Sequence, residues 1–227
     1  MVGAWVTSDA CCRETKCAHL SRLSRLSQGV LTLAFSGFPP QLVRLKHALN
    51  DVVALKENPG SMWPKATLGC LRDDVRLTPA QLDLLLSICS EHSARLAAAA
   101  PLVVRQLQVV LFRCRSLEEQ LSCSTLPLLE PVDDTPPDGA ELKHAASVAN
   151  EVDDVAAYWF HASKDGQRAA HYRGSATGAS LVAPLRALHA QLGLDVSEFR
   201  RAVDAALGPA YCWFDDASLH MTVRALL

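Results

Sequence analysis

The sequence has almost no charge imbalance: 22 Lys and Arg stand against 24 Asp and Glu, a formal net charge of −2. A protein that coats long nucleic acid carries a clustered excess of Lys and Arg, so that class is excluded, whereas a small site for one or two phosphates is not. Long apolar runs are absent as well. The longest stretch without a polar side chain, Leu96 to Val104, has nine residues and contains Pro101, against about 20 needed to cross a bilayer. The expectation is therefore no membrane partner. The opening residues lack a basic segment followed by a long apolar core, because Thr7, Ser8 and Asp9 interrupt the apolar start, which argues against secretion. Residues 13–28 carry Arg and Ser as an organellar transit peptide does, opposed by Asp9 and Glu14. The expected compartment is the cytoplasm, with organellar import as the alternative.

The C-x-x-C knuckle is also missing, although there are eight cysteines. Without a secretory signal these read as reduced thiols rather than a disulfide framework. Cys11, Cys12, Cys17 and His19 form the one cluster of possible zinc ligands, but the spacing is wrong for a structural site, so no metal is expected. Residues 1–27 are read as an N-terminal extension. No repeat of fixed period occurs.

What is present is an ordinary globular composition, 49% hydrophobic and 20% charged over 227 residues, enough for one large domain spanning 28–227. Gly29–Phe38 reads as a strand ending at two prolines, and a helix follows with Leu42, Leu45 and Leu49 on one face. Val52–Glu57 suggests another strand before the turn at Asn58, Pro59 and Gly60. Lys65–Leu71 alternates, and Thr78 with Pro79 opens a helix whose apolar face is Leu82, Leu85, Leu86, Cys89 and Leu96. Arg105–Cys114 alternates as a strand, and the Pro- and Asp-rich run Pro127–Gly139 marks a loop joining two halves. Helices are expected over Ala140–His161, with Leu142, Ala149, Val152 and Trp159 inward, over Leu181–Leu192, and from Asp195 to Gly208. The last of these opens with a capping box closed by Glu198. Tyr211–Leu226 reads as two short strands about Asp215 and Asp216. Strands and helices intermingle, which predicts an α+β fold.

Two segments carry chemistry. On the last strand His220, Thr222 and Arg224 share one face by their spacing of two. An imidazole beside a hydroxyl can move a proton while holding a phosphoryl oxygen. Earlier, Lys65, Ala66, Thr67 and Leu68 repeat the pattern of polar, small, Thr, aliphatic, so Lys65 and Thr67 share a face. Between them the turn Arg173–Gly178 offers Arg173, Ser175 and Thr177 as a phosphate cradle or as an ordinary surface turn. Tyr158, Trp159 and His161 offer base stacking or simple helix burial.

With His220, Met221, Thr222 near the end and Lys65, Ala66, Thr67 before a Leu-rich helix, the chain resembles the two-histidine phosphoesterase superfamily, the LigT-like RNA cyclic phosphodiesterases. The resemblance extends over residues 28–227. It implies a two-lobed fold of mostly antiparallel sheets flanked by helices, and a hydrolase acting on a 2′,3′-cyclic phosphate of an RNA end or a small nucleotide. His220 would be the proton-transfer residue and Thr67 and Thr222 the phosphate grips; Arg173, from its turn, and Arg224, from its strand face, are the further candidate substrate-binding groups. The sequence departs from the family at one place: Lys65 stands where the first catalytic histidine belongs. An amine with an ordinary pKa near 10.4 cannot act as a base at neutral pH unless burial lowers that value, so Lys65 is expected to stabilise charge on the phosphorane oxygens. Nothing in the motifs asks for a cofactor. The alternative is a catalytically inactive relative that keeps the fold as a binding or interaction module. A third possibility, an accidental H-x-T, predicts that the two motifs do not face one cleft.

Overall fold

Ala66, Leu68 and Cys70 are all fully buried while Lys65 and Thr67 are not, so Lys65–Leu71 forms the strand its sequence predicts, alternating through Leu68 and buried from there on. A computed structural model describes residues 13–17, 20–26, 29–54, 57, 61–97, 102–133, 135–150, 167–185 and 190–227. In chain order its elements are β1 (Arg13–Cys17), β2 (Leu20–Leu26), β3 (Val30–Phe35), α1 (Pro40–Asn50), β4 (Lys65–Leu71), α2 (Pro79–Ala97), β5 (Leu102–Val104), β6 (Gln106–Phe112), β7 (Gln120–Pro127), β8 (Leu129–Asp133), α3 (Gly139–Asn150), α4 (Arg168–Arg173), β9 (Gly178–Pro184), α5 (Ala190–Leu207), β10 (Tyr211–Trp213) and β11 (His220–Ala225).

The fold is α+β, as expected. The large sheet is antiparallel throughout, in the order β2-β3-β4-β11-β9-β6-β7, and β10 also pairs with β4. A three-stranded sheet, β5-β1-β8, stands beside it. One face of the large sheet carries the main core: Leu33, Leu68, Leu181 and Met221 pack with Leu82 and Leu85 of α2 and with Phe199 and Val203 of α5. A smaller cluster of Val110, Phe112, Leu117 and Val182 is separate from it. Because Leu181 and Val182 are consecutive strand residues, the two clusters lie on opposite faces.

Local signals explain several elements. Thr78 and Gln81 form a reciprocal capping box, Gln81 N donating to Thr78 Oγ1 at 3.3 Å and Thr78 N to Gln81 Oε1 at 2.9 Å. Asp138 caps α3 by accepting from Ala140 N and Glu141 N. Leu42 is buried, and Leu45 and Leu49 pack beside it, as their spacing predicts.

Other expectations fail for physical reasons. Residues 181–184, expected as helix, belong to β9, which is paired on both edges, with β11 and β6. A strand covered on both faces is continuously apolar, and that pattern does not distinguish it from a buried helix. The expected break at Gly193 does not occur: α5 runs through it, Asp195 lies inside the helix, and Glu198 pairs with Arg95 of α2 at 3.1 Å instead of capping. Val52 is an exposed turn residue rather than the start of a strand. The Pro127–Gly139 loop is partly strand, since it holds the end of β7 and all of β8. Leu142, expected inward, is exposed, and Ala145 takes the buried position. Ala149 falls outside the described side chains, and Val152, Trp159, Tyr158 and His161 outside the described residues. The segment read as an extension contributes two strands, β1 and β2, of which β2 pairs along β3. Of the zinc candidates Cys17 ends β1, and Cys11, Cys12 and His19 lie outside the described residues. Cys70, Cys89, Cys114, Cys123 and Cys212 are free thiols. Among the described residues no helix is long and apolar enough to cross a membrane.

One edge of β4 is shared by β10 and β11 in succession, with Gly69 opposite Trp213 and Ala66 opposite Met221. The close approach depends on Gly69, because a Cβ there would lie 2.6 Å from Cys212 O and 2.8 Å from Trp213 Cε3. Neither the backbone nor the indole can retreat without breaking the pairing. Gly69→Ala is expected to cost about 1–3 kcal/mol, seen as a lower midpoint in thermal unfolding; an unchanged midpoint would show that β10 moves freely.

Candidate active site

Between β10 and β11 the chain leaves the sheet for a single 3-10 turn, Asp216–Ser218. Arg200 of α5 pins this excursion: its Nη2 donates to Phe214 O at 2.8 Å and to Leu68 O at 3.2 Å, and its Nη1 binds Asp216. The chain re-enters the sheet at His220. The Ala66–Met221 pairing sets the register, so Lys65 and Thr67 of β4 project from the same face as His220 and Thr222 of β11. All four line one cavity of about 300 Å³, at the small end of ligand pockets. The two motifs therefore face a common cleft, contrary to the accidental reading.

His220 Nδ1 lies 2.7 Å from Ser218 O. A carbonyl only accepts, so Nδ1 carries the proton, and in the neutral ring the lone pair is on Nε2. Burial pushes the imidazole below its ordinary 6.5, against the opposing pull of the Ser218 carbonyl. Lys65 sits over the Trp63 ring, Nζ 4.6 Å from its centroid, and burial pushes its ammonium down to about 8. The Tyr172 hydroxyl is hydrogen-bonded to Thr67, and burial raises its pKa.

Two sequence-predicted residues are not in the cavity. Arg224 is fully buried and does not line it. The register shifts between Thr222 and Arg224, and this bulge breaks the alternation on which its placement rested. Val223 O, at the bulge, accepts from the buried Lys46 Nζ of α1 at 3.1 Å, and Ala225 takes the cavity-lining place. Arg173 also turns elsewhere. Its guanidinium forms two bonds to Glu118, 2.8 and 2.7 Å, and a third to Trp213 O at 2.8 Å. Burial alone would raise the Glu118 carboxyl, but its hydrogen bonds from Arg173, Ser116 and the Asp215 backbone hold it below the usual range. Of the turn that contains Arg173, Thr177 reaches the cavity and Ser175 does not.

The sequence reading missed Ser61, Arg115, His171, Tyr172, Ser180 and Phe214, which also line the cavity. Ser180 alone had a usable signal, its parity with Val182, and that was hidden once β9 was taken for a helix. The rest come from loops, from α4 and from the stretch after β10, where spacing carries no facing information. Among the described residues no group of His, Cys, Asp and Glu could hold a metal ion. Comparison with protein-family models gives no match, and neither does comparison with curated proteins or with solved structures.

Proposed function

We propose that the protein is a phosphoesterase that opens a 2′,3′-cyclic phosphate on a small nucleotide or an RNA end. The observation that carries this reading is the side-by-side placement of Lys65-x-Thr67 and His220-x-Thr222 on adjacent antiparallel strands lining one cavity. Above its lowered pKa, neutral His220 takes a proton at Nε2 from water as the water oxygen bonds to phosphorus. The Thr67 and Thr222 hydroxyls donate to the non-bridging oxygens. Lys65, protonated below about 8, neutralises the developing charge and gives its proton to the ribose oxygen as the P–O bond breaks. Protons and electron pairs then balance, and a second proton transfer resets the pair.

The test is incubation of the purified full chain with 2′,3′-cyclic nucleotides and with a short RNA ending in a cyclic phosphate, followed by chromatography of the products. Appearance of the monoester supports the reading. The lysine at the first motif position favours one competitor, an inactive module that only binds such ends; saturable binding without product would establish it.

A further inference from the structure

The loop between β6 and β7, Arg113–Glu119, is held more firmly than a surface connection requires. Arg113 N bonds Glu119 O at 2.8 Å and Leu117 N bonds Cys114 O at 3.0 Å, while Ser116 N bonds Tyr172 O at 3.0 Å and Ala176 N bonds Arg113 O at 2.7 Å. Leu117 has φ 59, a left-handed conformation for a branched side chain, and it packs against Val110, Phe112 and Val182. Such a conformation persists where the surroundings over-determine it, and it concentrates at ligand sites.

What this loop presents is Arg115. Its Nη1 lies 3.0 Å from His171 Nε2, and both residues line the cavity that holds Lys65 and His220. Of the two carboxylates on the loop, Glu118 is committed to Arg173 and Ser116. Among the described residues no carboxylate pairs with Arg115. Nη1 is also 3.4 Å from Nδ1, near both ring nitrogens, and burial and then the Arg115 charge lower the pKa of His171, which favours the neutral ring beside the guanidinium. Arg115 is also close enough to Tyr172, the partner of Thr67, to influence its titration. Arg115 is exposed at the cavity rim, and a guanidinium with no carboxylate partner among the described residues presents paired donors that match the oxygens of a phosphate.

We propose that Arg115, held by His171, is a second anion subsite that takes a terminal phosphomonoester on the ligand, distal to the group placed between Lys65 and His220. The ligand class is then a nucleotide with two separate phosphates. The inference rests on the phosphoesterase reading only for the first of them.

The experiment is calorimetric titration of the full chain and of Arg115→Met with adenosine 3′-phosphate and adenosine 3′,5′-bisphosphate, neither of which contains a diester to be hydrolysed. The bisphosphate is expected to bind about 10- to 100-fold more tightly to the wild type. Arg115→Met should erase that difference and leave the 3′-phosphate affinity unchanged. Equal affinities in the wild type, or equal weakening of both ligands in the variant, would overturn the subsite while leaving any cyclic-phosphate turnover intact. If neither nucleotide binds, inorganic phosphate is titrated against the His171 ring resonances. A phosphate-dependent shift in the wild type that is lost in Arg115→Met would retain the subsite and no shift would overturn it, whereas the phosphoesterase reading stands or falls on product formation from the cyclic substrates.

Discussion

His220→Ala is expected to hydrolyse a nucleoside 2′,3′-cyclic phosphate about 10²- to 10⁴-fold more slowly than the wild type, the usual loss on removing one general acid or base. The pH dependence identifies which role is lost. In the wild type, kcat/KM should rise as His220 deprotonates, with its midpoint below 6.5 because burial favours the neutral ring. It should fall again as Lys65 loses its proton near 8. The active window thus lies between a neutral base and a cationic acid, narrower on its alkaline side than an ordinary lysine would give. His220→Ala should flatten the acid limb and keep the alkaline one. A variant that turns over at the wild-type rate, or one whose acid limb survives, would show that His220 is not the base.

Lys65→Met should lower turnover and raise stability together. The amine stacks on Trp63 and is withdrawn from water, and its folded pKa of about 8 lies below the ordinary 10.5. Between those values the unfolded chain binds more protons than the folded one, so wild-type stability rises with pH across the window. Below about 8 both states carry the charge, and the full cost of burying it is present. Methionine keeps the volume and the contact with the indole without the charge. The variant is therefore expected to melt a few °C above the wild type at pH 7, with the gap closing as pH climbs from 8 toward 10.5. Thermal unfolding at pH 7 and pH 10 decides it, and an unchanged or lower midpoint at pH 7 defeats the argument. A residue that costs stability and supplies activity is the pattern expected of a functional group rather than a packing one.

The elements readable in the sequence were those whose pattern has a single physical cause. β4 alternates because one face meets α2 and α5 and the other meets the cavity; the start of α2 is written in Thr78 and Pro79. The cavity side of β11 was legible through Thr222 and no further, since the register shift that follows it carries no sequence signal, and the Val223 carbonyl there is met by Lys46, far away in the chain. β9 was illegible because neighbours on both edges and both faces, not its own propensities, make it a strand. Arg173 looked like a phosphate ligand until Glu118, on a distant loop, captured it. Arg115, on a loop, meets His171, on α4, and no local rule relates them.

The position of β11 also bears on how the chain reaches its folded state. It is a central strand, inserted between β4 and β9, yet it follows both of them in the chain. Until it docks, β9 presents an unpaired edge, β4 is covered on that edge only by β10, and the two halves of the sheet are not joined. Closure must wait for contact between Ala66 and Met221, across most of the chain, which makes for slow, high contact-order assembly. Exposed edges during that wait invite pairing with other molecules. The strand that brings His220 to the site is thus also the one whose docking closes these edges and ends the most aggregation-prone stage of folding.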